Sequence, residues 1–265
     1  FAISIACLYF VSQSFNWTEF IKELINLNYF YLSISILCLI GSIILRAFRW
    51  KKIFNLDDIK VIDLYKAEVI GFWGNSLFPL RLGELIRIHY AKVLTLKKYS
   101  FILGTIILER LIDLILIMPF IFIFYYYFPM EIINTKINFL LFIISLIIIG
   151  FIFYKYFLQI IENKIFKNIE TDLIQNFFNN KLILVFLSFL IWTLIFLDVY
   201  FVQASMSLDL SITHCLLVML VATIVYAVPS SPGTIGTFHL AIQELMVNFL
   251  DKSIDTSIAF AFILH

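Results

Sequence analysis

Charge is scarce in this sequence, and what there is nearly cancels. Asp, Glu, Lys and Arg make up 14% of the 265 residues, and the formal net charge at pH 7 is +1. A balance so close to zero argues against a nucleic-acid partner, and none is expected. Proline and glycine are also sparse, at five and eight residues, which leaves few places where a helix must stop. The three cysteines, Cys7, Cys38 and Cys215, lie in separate apolar runs without metal-ligand spacing. They read as small apolar residues and identify no redox compartment. Soluble catalytic devices are missing too: there is no Gly-rich phosphate loop with lysine, no His-Glu zinc motif and no nucleophile elbow. The sequence therefore assigns no catalytic residue, metal or cofactor.

Apolar side chains dominate instead. Hydrophobic residues reach 62% and mean hydropathy is +1.00, so most of the chain must face lipid or other apolar helices. The expectation is one all-α domain over residues 1–265, a polytopic bundle in the cytoplasmic membrane. Residues 1–11 fall short of the roughly 20 that a spanning helix needs. They are expected to be the end of a cut transmembrane helix rather than a signal peptide. The chain stops at His265 partway into another apolar run, so both ends are expected to be truncated.

In chain order, residues 17–27 suit a short interfacial helix and residues 29–48 a second span. That span closes on Arg46, Arg49, Trp50, Lys51 and Lys52, read as a cytoplasmic end with Trp50 at headgroup level. Residues 64–76 and the return arm to Lys98 form two arms too short to span comfortably, which suggests a re-entrant hairpin broken at Pro79 and Gly83. A third span, 101–128, carries Glu109, Arg110 and Asp113. Residues 129–136 are expected to be an outer loop and 137–157 the return. Residues 158–181 read as an amphipathic surface helix and 182–201 as a separate span containing Asp198. A second break follows, Pro229-Ser230-Ser231-Pro232-Gly233-Thr234-Ile235-Gly236, with a return arm over 237–250. The two halves, about 1–128 and 138–265, share one order: span, interfacial helix, span, broken hairpin, span. An odd number of spans per half makes them inverted repeats. Lysines and arginines fall mostly on one expected side, with Lys22, Lys136 and Lys252 on the other. Such repeats with discontinuous helices are the pattern of transporters, although channels and membrane enzymes share it.

Charges and broken backbone at membrane depth are tolerated where they line a cavity or are sealed by protein. This makes the first break a candidate polar site. Glu68, Gly71 and Asn75 repeat at helical intervals on one face of the first arm, with Asn75 close to the break; Arg81 lies within it, and Glu84 and Arg87 are one turn apart on the second arm. Guanidinium groups there would grip a phosphate bidentately; the alternative is that Glu84 only pairs with Arg81 or Arg87 to fix the hairpin. Glu109 and Asp113 share a helix face, with Arg110 in reach of Asp113. The surplus carboxylate there would balance Arg81 or Arg87, and its role is either proton coupling or a structural ion network. At the second break, the backbone near Ser231, Gly233, Thr234 and Gly236 suits an anion at a helix N-terminus or simply a tight turn. His239 follows one turn later as a titratable or structural group. Asp198 and Gln203 are weaker candidates, and Lys66, His89 and His214 are assigned to interfaces.

Four stretches in order, Leu45-Arg46-Ala47-Phe48-Arg49-Trp50, the segment from Gly71 to Arg87, Leu108-Glu109-Arg110-Leu111-Ile112-Asp113, and Ser231-Pro232-Gly233-Thr234-Ile235-Gly236, resemble the lysylphosphatidylglycerol synthase transmembrane-region family of flippase-like membrane proteins. The resemblance spans about residues 45–240. One departure is that Phe238-His239 stands where many members have Arg-Glu, so no acidic role carries over there. The resemblance implies movement of a charged lipid between leaflets: an anionic or aminoacylated phospholipid, or a polyprenyl phosphate. A glycosyltransferase or lipid synthase would be the partner supplying it. The competing expectations are a membrane-embedded enzyme acting on lipid phosphates or lipid-linked sugars, and an accessory scaffold in cell-envelope synthesis.

Overall fold

The computed structural model describes residues 6, 7, 9, 11, 16–56, 58–127, 167–227 and 232–265. Expectations for 129–136, 137–157, the first part of 158–181, and Ser231 lie outside the described residues. Among the described residues all regular structure is helical, in nine α-helices and two short 3-10 turns. These are α1 (Trp17–Ile25), α2 (Tyr29–Phe54), α3 (Val61–Leu77), α4 (Gly83–Thr95), α5 (Tyr99–Tyr127), α6 (Lys167–Ser205), α7 (Ile212–Ala227), α8 (Thr237–Leu250) and α9 (Ile254–Leu264).

α2 is the axis of the bundle. Asn28 caps its start by accepting the Phe30 N–H, and Asn55 ends it in the left-handed conformation at φ 51°, with Lys51 and Lys52 at the negative end of the helix dipole. Its 26 residues span about 39 Å. α6 packs along it antiparallel: the Asn28 N–H donates to the Ser205 carbonyl at one end, and Asn55 donates to Asn176 at the other. By length and apolar composition, α2 and residues 175–205 of α6 are the two described helices able to cross a bilayer. α5 is as long but carries Glu109, Arg110 and Asp113.

α6 corrects one sequence expectation. In place of a surface helix followed by a separate span, a single 39-residue helix runs from Lys167 to Ser205. No proline or glycine interrupts this stretch, so a change from amphipathic to apolar composition gives the backbone no reason to stop. Its polar first part is held by Asn176 and Asn180, which donate to carbonyls at the end of α2.

Both breaks have local causes. Phe78 is extended (ψ 142°), as a residue preceding proline prefers. Pro79 then opens the 3-10 turn Pro79–Arg81, and Arg81 takes φ 58°. The arms of this hairpin cross on glycine. A Cβ on Gly83 would collide with the Gly71 carbonyl and the Asn75 amide, and one on Gly74 would lie 2.8 Å from the Gly83 Cα. The second break repeats the plan: a 16-residue arm, the turn Pro232–Thr234 with Gly233 at φ 60°, then a 14-residue arm. The two turns touch; a Cβ on Gly233 would lie 3.6 Å from the Ser76 Cα.

An apolar core is present, but the surface is also apolar and several charges are enclosed. Phe30, Leu37, Ile115 and Phe186 are exposed, whereas Arg49, Glu68, Arg87 and Glu109 are almost wholly enclosed. Extensive exposed apolar surface with charges sealed inside the bundle is the arrangement expected when the surroundings are lipid.

Candidate functional site

The enclosed charges form one network built by α2, α3, α4, α5 and α6. Arg87 of α4 is its hub. One guanidinium nitrogen donates to Glu68 of α3 and, at 2.7 Å, to Glu109 of α5. Its other terminal nitrogen lies 3.6 Å from Glu84, and its Cζ stands 3.8 Å from the centre of the Trp50 ring. The Trp50 indole N–H donates to Thr105 at 2.8 Å, which fixes the ring beneath the guanidinium. Close by, Arg49 of α2 pairs with Asp113 through both terminal nitrogens, donates to Ser188 of α6 at 2.7 Å, and lies 3.6 Å from Glu109. Arg46 adds a contact to Asp113 at 3.8 Å. At the rim Arg110, 45% exposed, donates to Glu84 at 2.7 Å.

Charge balance follows from that inventory. Arg46, Arg49, Arg87 and Arg110 meet Glu68, Glu84, Glu109 and Asp113, so the network closes near neutrality. Buried ions persist only when paired and hydrogen-bonded in this way. Arg81 is the remaining arginine of the chain. It sits half-buried in the turn between α3 and α4, and has no ion pair or hydrogen bond among the described residues. Its charged neighbours are Arg110 and Glu84. Some acceptor capacity is also unspent: Glu84 Oε2, Glu109 Oε1 and Asn75 Oδ1 are buried without a hydrogen bond.

The structure therefore brings Arg81, Glu84, Arg87, Glu109, Arg110 and Asp113 into one region, with Asn75 at the hairpin crossing. Gly233 reaches the same place because the second turn packs on the first. His239 belongs to a different group. Its Nδ1 faces the Gly236 N–H at 3.4 Å, and its ring packs against Phe262 and His265 at 4.1 and 4.8 Å. Gln203 holds the turn after α6 by accepting the Leu210 N–H.

At the α2 end both Arg49 and Trp50 are fully buried in the protein, so these two residues face the charge network rather than the surface. Arg46, Arg49 and Ser188 are network members that the sequence-derived site omits, whereas Glu68 stands on the face of the first arm that the sequence marks. A signal for the first two existed: Ser35, Cys38, Ser42, Arg46, Arg49 and Ile53 recur at helical intervals, and that stripe is the face α2 turns inward.

Apolar exterior, two helices long and apolar enough to cross a bilayer and an enclosed charge network are the features of a membrane protein. The chain belongs to the family described as the lysylphosphatidylglycerol synthase TM region, whose model matches residues 1–265. It is 31% identical over 198 residues to the UPF0104 membrane protein MJ1078 of Methanocaldococcus jannaschii, covering 71% of this chain and 83% of that relative. No solved structure matches it.

Proposed function

We propose that this protein moves a lipid bearing a phosphate group between the leaflets of the cell membrane. The phosphate would belong to an anionic or aminoacylated phospholipid or to a polyprenyl phosphate. The observation that carries the proposal is Arg81. The other four arginines are matched by four carboxylates, which leaves one positive charge at the point where the two helix breaks meet. An anionic headgroup supplies the missing charge, with its acyl chains remaining in lipid. Arg110, at the rim and shared with Glu84, is the second guanidinium within this site. Backbone amides near Gly233, Thr234 and Gly236 complement it. Arg87 serves in this reading as the hub that holds α3, α4 and α5 together. It does not contact the lipid first, because its partners already occupy it.

The hairpins α3–α4 and α7–α8 are then the re-entrant elements of two inverted repeats, and transport is a rocking of one repeat against the other. The repeated order of long helix, broken hairpin and helix supports this, as do the matched arm lengths of 17 and 13 against 16 and 14 residues. The lipid is made elsewhere, by a partner lipid synthase or glycosyltransferase.

Leaflet-resolved lipid movement in vesicles containing the full-length protein tests the proposal, using labelled anionic, aminoacylated and polyprenyl-phosphate lipids. The expected result is selective movement of one class that Arg81→Gln abolishes while the melting temperature stays the same. Equal movement by the variant rejects the role of Arg81. Turnover of a lipid phosphate in detergent, with no leaflet movement, replaces the transporter with a membrane enzyme.

A further inference from the structure

A second polar centre lies far from the arginine network, on the same two helices. Asp198 of α6 is 5% exposed, and its partner is Ser35 of α2, whose hydroxyl donates to Oδ1. Antiparallel packing separates the two centres along both helix axes. Ser35 is fourteen residues before Arg49 on α2, and Asp198 ten residues after Ser188 on α6, which at 1.5 Å per residue is about 21 and 15 Å.

Asp198 differs from every carboxylate in the network, because no arginine, lysine or histidine pairs with it among the described residues. The titratable side chains it influences are Cys38 and Tyr226, which offer it no positive charge. It also borders a crevice of about 600 Å³ between α1, α2, α6 and α9, within the range of small-molecule sites. The walls are mainly apolar, from Phe20, Leu24, Leu32, Ile36, Leu39 and Phe262; Ser35, Asp198 and Tyr29 bring polar groups, and the Tyr29 hydroxyl is already spent on the Leu24 carbonyl. An apolar slot ending at a carboxylate complements a molecule with a hydrocarbon chain and a positive end. An ammonium group would also supply the charge-assisted hydrogen bonds that a lone serine hydroxyl does not.

We propose that this crevice binds a long-chain primary ammonium amphiphile, its chain along α2 and α9 and its nitrogen on Asp198. The site is separate from the phosphate site at Arg81 and does not depend on the lipid-transport reading.

The test is photolabelling of the full-length protein in neutral phosphatidylcholine nanodiscs. The probes are a diazirine-bearing dodecylamine and the matching dodecanol, and labelled positions are mapped by mass spectrometry. In wild type the amine is expected to label the stretches around Leu32 to Leu39 and Phe262 to Leu264 more strongly than the alcohol. Asp198→Asn keeps an acceptor for Ser35 and should lower amine labelling on the order of tenfold, consistent with removing a charge-assisted contact, while leaving alcohol labelling unchanged. Amine labelling that survives Asp198→Asn overturns the proposal, as does equal labelling by amine and alcohol in wild type, which would make the crevice a groove for hydrocarbon alone. Ser35→Ala provides an independent check in a variant that keeps the carboxylate. Its amine labelling should be retained or increased, and a loss there also overturns the assignment.

Discussion

The Cζ atom of Arg87 stands 3.8 Å from the centre of the Trp50 ring, although the two residues come from different helices. Arg87 thus has an aromatic face on one side and carboxylates at its edge, the surroundings in which a buried guanidinium is most strongly held.

Removing that cation should be far worse than removing the whole ionic group. Arg87→Ala leaves Glu68 buried without a counter-ion and should destabilise the protein by about 3–5 kcal/mol. The triple variant Arg87→Met, Glu68→Gln, Glu109→Gln should recover most of the loss. Thermal melts of the detergent-solubilised protein compare them. A triple variant no more stable than Arg87→Ala would contradict the ionic account.

Trp50→Phe tests the support beneath Arg87. It keeps an aromatic face but loses the indole donor to Thr105, so a loss of about 1–2 kcal/mol is expected. Thr105 keeps its own bond to the Ile102 carbonyl, which limits the damage. Chemical denaturation of wild type and variant, read by circular dichroism, measures the difference.

The glycines should separate into two kinds. Gly83→Ala drives a methyl into the Gly71 carbonyl and the Asn75 backbone, which cannot move without opening the hairpin. Its yield of folded protein should fall sharply. Gly104→Ala meets the end of a single side chain, Leu173 Cδ1 at 2.7 Å, and gains about 1 kcal/mol of helix propensity. Its melting temperature should stay near wild type. Size-exclusion profiles and melts of both variants check the contrast.

Contact between the two breaks is testable by cross-linking. With Cys7, Cys38 and Cys215 replaced by alanine, Ser76→Cys and Gly233→Cys should form a disulfide under mild oxidation, since a Cβ at 233 falls 3.6 Å from the Ser76 Cα. Gel mobility before and after reduction reads the result. No bond under conditions that oxidise a control pair across α2 and α6 would place the breaks apart.

Much of the fold is legible from the chain because its causes are local. Phe78-Pro79 stops α3 through the geometry of the peptide before proline, and Pro232-Gly233 breaks the second hairpin by the same kind of backbone chemistry. The cluster Glu84, Arg87, Glu109 and Asp113 is legible because charge in so apolar a context has few places to go. The α2 end reads differently. A run of Arg, Trp and Lys closing a hydrophobic helix has one appearance whether it meets headgroups or the protein interior, and Arg49 and Trp50 are interior. The join at Lys181 was equally opaque, since a change of composition marks a change of surroundings without marking a helix end.

The sequence by itself determined that this protein is helical, apolar on its outer surface and broken at two places. Peptide geometry and the transfer of side chains from water act within a few residues and do not need the rest of the chain. Only the tertiary structure decided which charges pair: Arg49 with Asp113 across 64 positions, Arg87 with Glu68 and Glu109, and Arg81 in an ion pair with none of the described residues. Coulombic pairing depends on separation in space and on the water excluded around it. Both are set by helix packing that no single stretch of sequence contains.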